Sequence, residues 1–168
     1  PLWLRTVIVV IAGLPGTGKS TLATQLAEAI PGLVLDKDRI RAVLFGPEGT
    51  TYTRSQDDFV VGIMYRTTAR ILAEDPTRTV ILDGRTYSQP YQVKAVHRLA
   101  ASLRQPLKLI ECRCDDRSAQ DRIHQDRASG NHPANNRTAG LHQSLKILAQ
   151  PIPGPKLLVD TNMHRSDI

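Results

Sequence analysis

Aromatic side chains are scarce in this chain, with two Phe, one Trp and four Tyr among 168 residues. That shortage leaves no row of rings on which the bases of a single strand could stack. Cysteine is nearly absent. Cys112 and Cys114 lie two residues apart, so on a strand they would point to opposite faces. Such a pair suits neither a disulfide nor a complete metal site, and both are expected to be small fillers of core or surface. Long apolar runs are missing as well. The longest, Val7 to Leu14, falls far short of the roughly 20 residues that span a bilayer. No cleavable signal pattern is visible, and Pro1 is not a natural start, so further N-terminal residues are expected. These absences exclude a membrane-spanning or disulfide-stapled class and predict a soluble, cytoplasmic protein.

What is present is charge and glycine in particular places. The net charge is +6, and arginine supplies 16 of the 22 basic residues. Arginine suits bidentate contacts to phosphate, so phosphate-bearing ligands are expected. Gly13-Leu14-Pro15-Gly16-Thr17-Gly18-Lys19-Ser20 has four residues between its outer glycines, with Lys and Ser after the second. This is the Walker A spacing. An apolar strand precedes it, and a helix with Leu22, Leu26 and Ile30 on one face follows it. A strand turning tightly into a helix aims several backbone N–H groups at one point, which is how an anion is held. Gly13 through Thr21 are therefore the expected nucleotide-binding residues. Lys19 would reach the β- and γ-phosphates, and the Ser20 hydroxyl would bind Mg²⁺.

Strand-like and helix-like periods alternate along the chain, which predicts an α/β fold with a parallel sheet. Expected strands are 6–12, 33–36, 79–83, 107–112 and 156–160. Expected helices are 19–30, 38–45, 55–74, 89–104, 116–128 and 138–149. Pro31-Gly32, the stretch from Gly46 to Gly49, and Asp75-Pro76 are expected to stop the first three helices. No linker divides the chain, so residues 1–168 read as one domain. Ser129 to Asn136 is polar and rich in breakers, and should be an exposed, mobile loop.

Phosphoryl transfer needs positioning and charge neutralisation more than covalent chemistry. Thr79-Val-Ile-Leu-Asp83 has the Walker B form and puts Asp83 at the loop end of a strand, to support Mg²⁺ or orient substrate. Asp38 either caps the second helix or receives the acceptor proton as general base. Arg41, three residues on, shares its helix face, and Asp36 competes for the base role. Arg85 is expected on the acceptor side. Arg122 and Arg127 either close over the donor phosphates as lid arginines or belong to a solvated, salt-bridged helix with Asp121 and Asp126. His132, in the same region, is assigned no role. Between Arg85 and Ile110 there are five basic residues and no acid. This is either a solvated basic face or the border of a cleft for a phosphorylated or polynucleotide substrate.

These motifs resemble the small P-loop kinases of the AAA-like ATPase group, which includes polynucleotide 5′-hydroxyl kinases and zeta-toxin-like kinases. The resemblance is carried by Gly13 to Thr21, Asp38-Arg39-Ile40-Arg41, Leu82-Asp83, and Arg122 with Arg127. It implies a three-layer P-loop fold with strand order 2-3-1-4-5 and a small lid, here about residues 122–137. It implies that Asp38 is the general base, that Arg41 contacts an acceptor phosphate, and that Arg122 and Arg127 are lid arginines. The polynucleotide kinases have Thr-Asn or similar after the second strand-end acid, where this chain has Gly84-Arg85-Thr86. The expected activity is ATP- and Mg²⁺-dependent transfer of the γ-phosphoryl group to a hydroxyl of a small-molecule or nucleotide-type acceptor, phosphorylated or not. A polynucleotide acceptor and an ATP-hydrolysing switch are the alternatives.

Overall fold

The computed structural model describes residues 7–130, 133, 134, 136 and 138–162. The strands are β1 (Ile8–Ala12), β2 (Gly32–Asp36), β3 (Thr79–Asp83), β4 (Leu107–Arg113) and β5 (Leu157–Asp160). The helices are α1 (Lys19–Ala29), α2 (Lys37–Gly49), α3 (Arg54–Glu74), α4 (Pro90–Leu103), α5 (Asp116–Ser129) and α6 (Ala139–Leu148). All strand pairs are parallel, and the sheet order is β2-β3-β1-β4-β5. Both the fold class and the strand order expected from the sequence are found.

The central strand explains the layering. Every residue of β1 is buried, as expected for a parallel strand covered on both faces. Ile8, Val10 and Ala12 point into one core with Val61, Met64 and Val96 from α3 and α4. Val9 and Ile11 point into the other, against Ala23, Leu22 and Leu26 of α1. Period two in the strand and spacings of three to four in the helices therefore assemble the same sandwich. The edge strand β5 is covered least, with Leu157 and Leu158 both exposed.

The starts of α2, α3, α5 and α6 are capped by side chains. Asp36 accepts from the backbone N–H of Asp38 (2.8 Å) and Arg39 (3.3 Å), so α2 begins at Lys37. The capping role offered to Asp38 thus belongs to Asp36, two residues earlier, which leaves the Asp38 side chain free for other contacts. Thr53, Asp115 and Thr138 cap α3, α5 and α6 in the same way. The expected stop at Gly46 is a kink rather than an end. Gly46 takes a positive φ of 62°, and Pro47 opens one more turn before Gly49. Glycine allows that backbone, and proline is tolerated in a first turn. Thr6, expected at the start of β1, lies outside the described residues. Among the described residues no helix is long and apolar enough to cross a membrane.

Candidate active site

The loop between β1 and α1 has the geometry its glycines foretold. Gly13, Gly16 and Gly18 have φ of 140°, 81° and 80°. A Cβ on Gly13 would stand 2.5 Å from the carbonyl oxygen of Cys112 and 2.7 Å from Thr17 Oγ1, so only glycine fits there. The Leu14 carbonyl gathers three donors: Thr17 N (3.3 Å), Thr17 Oγ1 (2.8 Å) and Lys19 Nζ (2.8 Å). The loop is also held from outside. Gly13 N donates to Thr86 O at 3.2 Å, and Thr161 Oγ1 donates to Thr17 O at 3.0 Å. From α6, the buried His142 places Nδ1 2.8 Å from Pro15 O and Nε2 3.2 Å from Asp116. Lys146 binds both oxygens of Asp116 at 2.7 Å. His142 and Thr161 had no signal in the sequence, because they meet the loop from more than 120 residues away.

Beside Lys19 lies a carboxylate suited to a cation. Asp83 is 1% exposed, and its Oδ1 has no partner among the described residues. Burial pushes its carboxyl upward, while Lys19 and a hydrogen bond from Ser20 pull it down. A buried, incompletely satisfied oxygen next to a hydroxyl is a donor set that fits a hard divalent cation. Asp36 ends β2 in register with Asp83 at the end of β3, and Asp36, Asp83 and Ser20 share the wall of one depression.

A cleft of about 470 Å³ opens on the other side of the loop. Lys19 and Ser20 line it from the loop side, and Lys37, Asp38, Arg41, Tyr52, Arg54, Asp57 and Tyr91 also line it. Arg41 is almost wholly buried. It donates from one terminal nitrogen to Asp38 Oδ1 at 2.7 Å and from the other to Asp57 Oδ1, and it lies 5.1 Å from the centre of the Tyr52 ring. Lys37 Nζ donates to Asp57 Oδ2 at 2.8 Å and is 3.8 Å from Asp38 Oδ1. Burial, with Arg41 and Arg85 nearby, pushes the Lys37 ammonium down to about 8, against the opposing pull of Asp38 and Asp36. Arg85, also buried, donates to Asp58 and to the Tyr91 hydroxyl. Arg54 lies over the Tyr91 ring at 4.3 Å.

The structure therefore brings Lys19, Ser20, Asp38 and Arg41 to one cleft, with Arg85 directly behind its wall. Asp36 lines the other depression, with Ser20 and Asp83, and not this cleft. Sequence reasoning missed Lys37, Asp57, Asp58 and Tyr91. The one available signal was the position of Lys37 between two candidate acids in Asp36-Lys37-Asp38.

The two arginines expected in a lid have different surroundings. Arg122 reaches beneath the loop to Thr161 O (2.5 Å), Thr161 Oγ1 (3.0 Å) and Gly16 O (3.5 Å). Arg127 is exposed near the end of α5. Residues 131, 132, 135 and 137 of the expected lid and mobile loop, His132 included, lie outside the described residues. Lys94, Arg98, Arg104 and Lys108 are exposed and do not line the cleft, which makes them a solvated basic face. Cys112 is buried and Cys114 half-buried, and both thiols are free.

The parallel sheet, the loop and the facing wall define a P-loop kinase-like fold. Residues 8–151 match the family described as AAA domain, and the chain belongs to that P-loop kinase-like family. An uncharacterized protein of Mycobacterium tuberculosis is 31% identical over 137 residues, covering 76% of this chain and 27% of that protein. The chain thus spans about a quarter of the length of the curated relatives it matches. A gluconokinase from Sinorhizobium meliloti superposes with a TM-score of 0.70 at 16% identity, over 98% of this chain and 87% of that one. The Mycobacterium tuberculosis APS kinase CysC, solved with AMPPNP and APS, gives 0.67 at 17% identity, over 95% and 91%.

Proposed function

We propose that the chain is a kinase that moves the γ-phosphoryl group of ATP, with Mg²⁺, to a hydroxyl of a small molecule. The observation that carries this reading is that Asp38 faces the same cleft as Lys19 and Ser20. The ion pair of Asp38 with the buried Arg41, opposite the phosphate loop, favours a kinase over a switch that only hydrolyses ATP. The solved kinases of the same fold, one of them holding AMPPNP and APS, support a nucleotide as donor.

In this reading the loop amides and Lys19 hold the β- and γ-phosphates, and Lys19 exchanges its bond to Leu14 O for phosphate oxygens. Ser20 and Asp83 would hold Mg²⁺, which supplies charge neutralisation at the phosphates. The acceptor oxygen forms a bond to the γ-phosphorus, and the bond to the β–γ bridging oxygen breaks. ADP leaves with that electron pair, and the acceptor proton passes to Asp38. Asp36 is the weaker base candidate, because its carboxylate already accepts from two backbone N–H groups and pairs with Arg39 at 3.4 Å. Arg41 orients Asp38. Arg122 keeps the donor loop in shape from beneath, and Arg127 joins the donor phosphates only if the end of α5 swings inward.

The test is a γ-labelled ATP transfer screen over nucleosides, sugars, aminoglycoside-like compounds and oligonucleotides, with Lys19→Ala as control. A labelled product that disappears with Lys19→Ala is expected. ATP hydrolysis stimulated by a protein partner, with no labelled acceptor, favours the switch instead.

A further inference from the structure

Charge in the cleft does not cancel. Among the described residues that line it, the charged ones are Lys19, Lys37, Asp38, Arg41, Arg54 and Asp57. Lys37 and Arg41 pair with Asp38 and Asp57, two cations on two carboxylates. Behind the wall, the buried Arg85 is matched by Asp58. Lys19 belongs to the donor loop. Arg54 is the cation left over, and its side chain is 74% exposed.

Arg54 is also held in place. Its guanidinium lies 4.3 Å from the centre of the Tyr91 ring, and its Nε donates to the Tyr91 hydroxyl at 3.1 Å. That hydroxyl is fixed in turn, accepting from Arg85 at 3.1 Å and donating to Asp58 at 3.3 Å. Asp58 comes no nearer to Arg54 than 3.8 Å, and it approaches Nε. Among the described residues the two terminal nitrogens of Arg54 take no hydrogen bond. A stacked guanidinium with both terminal nitrogens open is the fork that holds two oxygens of a carboxylate or phosphate. The stack on Tyr91 leaves it less side-chain freedom to lose on binding. One surplus cation suits one anionic group. A polynucleotide needs a row of cations along its backbone, and the exposed Lys94, Arg98, Arg104 and Lys108 lie off the cleft. Leu141, Leu145 and Leu148 also line the cleft and offer apolar surface to the rest of a small ligand.

Resting on the kinase reading, we propose that the acceptor is a small hydroxyl compound carrying one oxyanion, a carboxylate or a phosphate, and that Arg54 is the specificity-determining residue that binds it. The terminal nitrogens of Arg54 donate to two oxygens of that group, and the reacting hydroxyl lies at the Asp38 end of the cleft. Tyr91 is a positioning residue that holds the guanidinium by its ring and its hydroxyl. Neutral analogues lack the group that Arg54 binds and are discriminated against for that reason.

The full chain is assayed with γ-labelled ATP on matched acceptors: a hexose with its uronic acid and its 6-phosphate, a nucleoside with its 3′-monophosphate, and a 5′-hydroxyl oligonucleotide. The small anionic members are expected to react with kcat/KM about tenfold or more above their neutral partners and the oligonucleotide. The uronic acid and the phosphate esters show which oxyanion is preferred, and preference for either supports the proposal. Arg54→Gln should bring the anionic-to-neutral ratio towards one, mainly by raising KM for the anionic members. Arg54→Lys keeps the charge but loses the fork, and should retain part of the ratio. The ratio on the unaltered chain stands even if a variant does not fold. Preference for the neutral members or for the oligonucleotide overturns this inference and leaves the kinase reading standing. An unchanged ratio in folded Arg54→Gln makes Arg54 a solvated surface arginine and overturns its assignment. ATP hydrolysis without transfer to any acceptor overturns the kinase reading, and this one with it.

Discussion

Lys37 and Asp57 form a 2.8 Å ion pair in which the ammonium is nearly out of reach of water. Burial makes the charged form of Lys37 costly, and its folded value of about 8 lies below the ordinary 10.5. Between pH 8 and 10.5 the unfolded chain therefore holds a proton that the folded chain has lost, and stability rises with pH across that window. Below pH 8 both states are protonated, and the cost of the buried charge is present in full. Lys37→Met has no such linkage. The stability of the unaltered chain relative to Lys37→Met should increase by up to about 3 kcal/mol from pH 8 to 10.5. Urea unfolding of both proteins at the two ends of the window measures this, and a constant difference would count against it.

Asp38→Ala should lower turnover about a hundredfold or more, the usual scale for losing a general base. Nucleotide affinity, measured by calorimetry, should change by less than about threefold, because the donor loop is built from other residues. Undiminished turnover removes Asp38 as the proton acceptor. The complementary Asp36→Ala should act mainly on folding, at a cost of about 1 kcal/mol for a lost helix cap.

Gly13→Ala pushes a methyl group into the Cys112 carbonyl and the Thr17 hydroxyl at a φ of 140°. A loss of more than about 2 kcal/mol and of measurable nucleotide binding is expected. Gly130→Ala is the control, since its positive φ of 65° is strained but nothing lies within 4 Å. It should cost about 1 kcal/mol and leave nucleotide affinity unchanged. Equal effects at the two sites would deny the close approach at Gly13.

His142→Ala leaves the Pro15 carbonyl and one face of Asp116 without their partner. A destabilisation of about 1–3 kcal/mol is expected from thermal or urea unfolding. Because Pro15 belongs to the phosphate loop, nucleotide affinity should fall along with stability. A variant that unfolds earlier but binds nucleotide normally would show that α6 packs against the loop without shaping it.

The sheet was legible because β1, Gly13 to Ser20 and α1 form a continuous local signal, and because later strands and helices alternate with clear stops. Most boundaries differ from the sequence expectation by a residue or two, and α2 is the exception because Pro47 restarts the helix after Gly46. Asp36, Asp38, Arg41 and Asp83 were legible because strand ends point at the loop in a parallel sheet. Asp57 and Asp58 were not. Acids in the first turns of a helix usually just complement its dipole. Nothing local reveals that Asp57 meets Arg41 sixteen residues back, or that Asp58 meets Arg85 twenty-seven residues on. Arg122 was expected as a lid arginine over the donor phosphates, whereas the contacts it makes here run to Gly16 O and to Thr161.

Thr161 has a consequence for the order in which the molecule is made. Its hydroxyl reaches Thr17 O, its backbone N–H reaches Arg113 O, and Arg122 clasps it from α5. The donor loop lies near the beginning of the chain, yet its last supports come from the residue just after β5. Contacts closed over 144 residues form late, after the ends of that long loop meet. A ribosome-bound chain lacking residue 161 carries every residue from Gly13 to Ser20 without the tether that fixes them. Nucleotide held at this loop would accordingly stabilise by mass action the form in which Thr161 has docked.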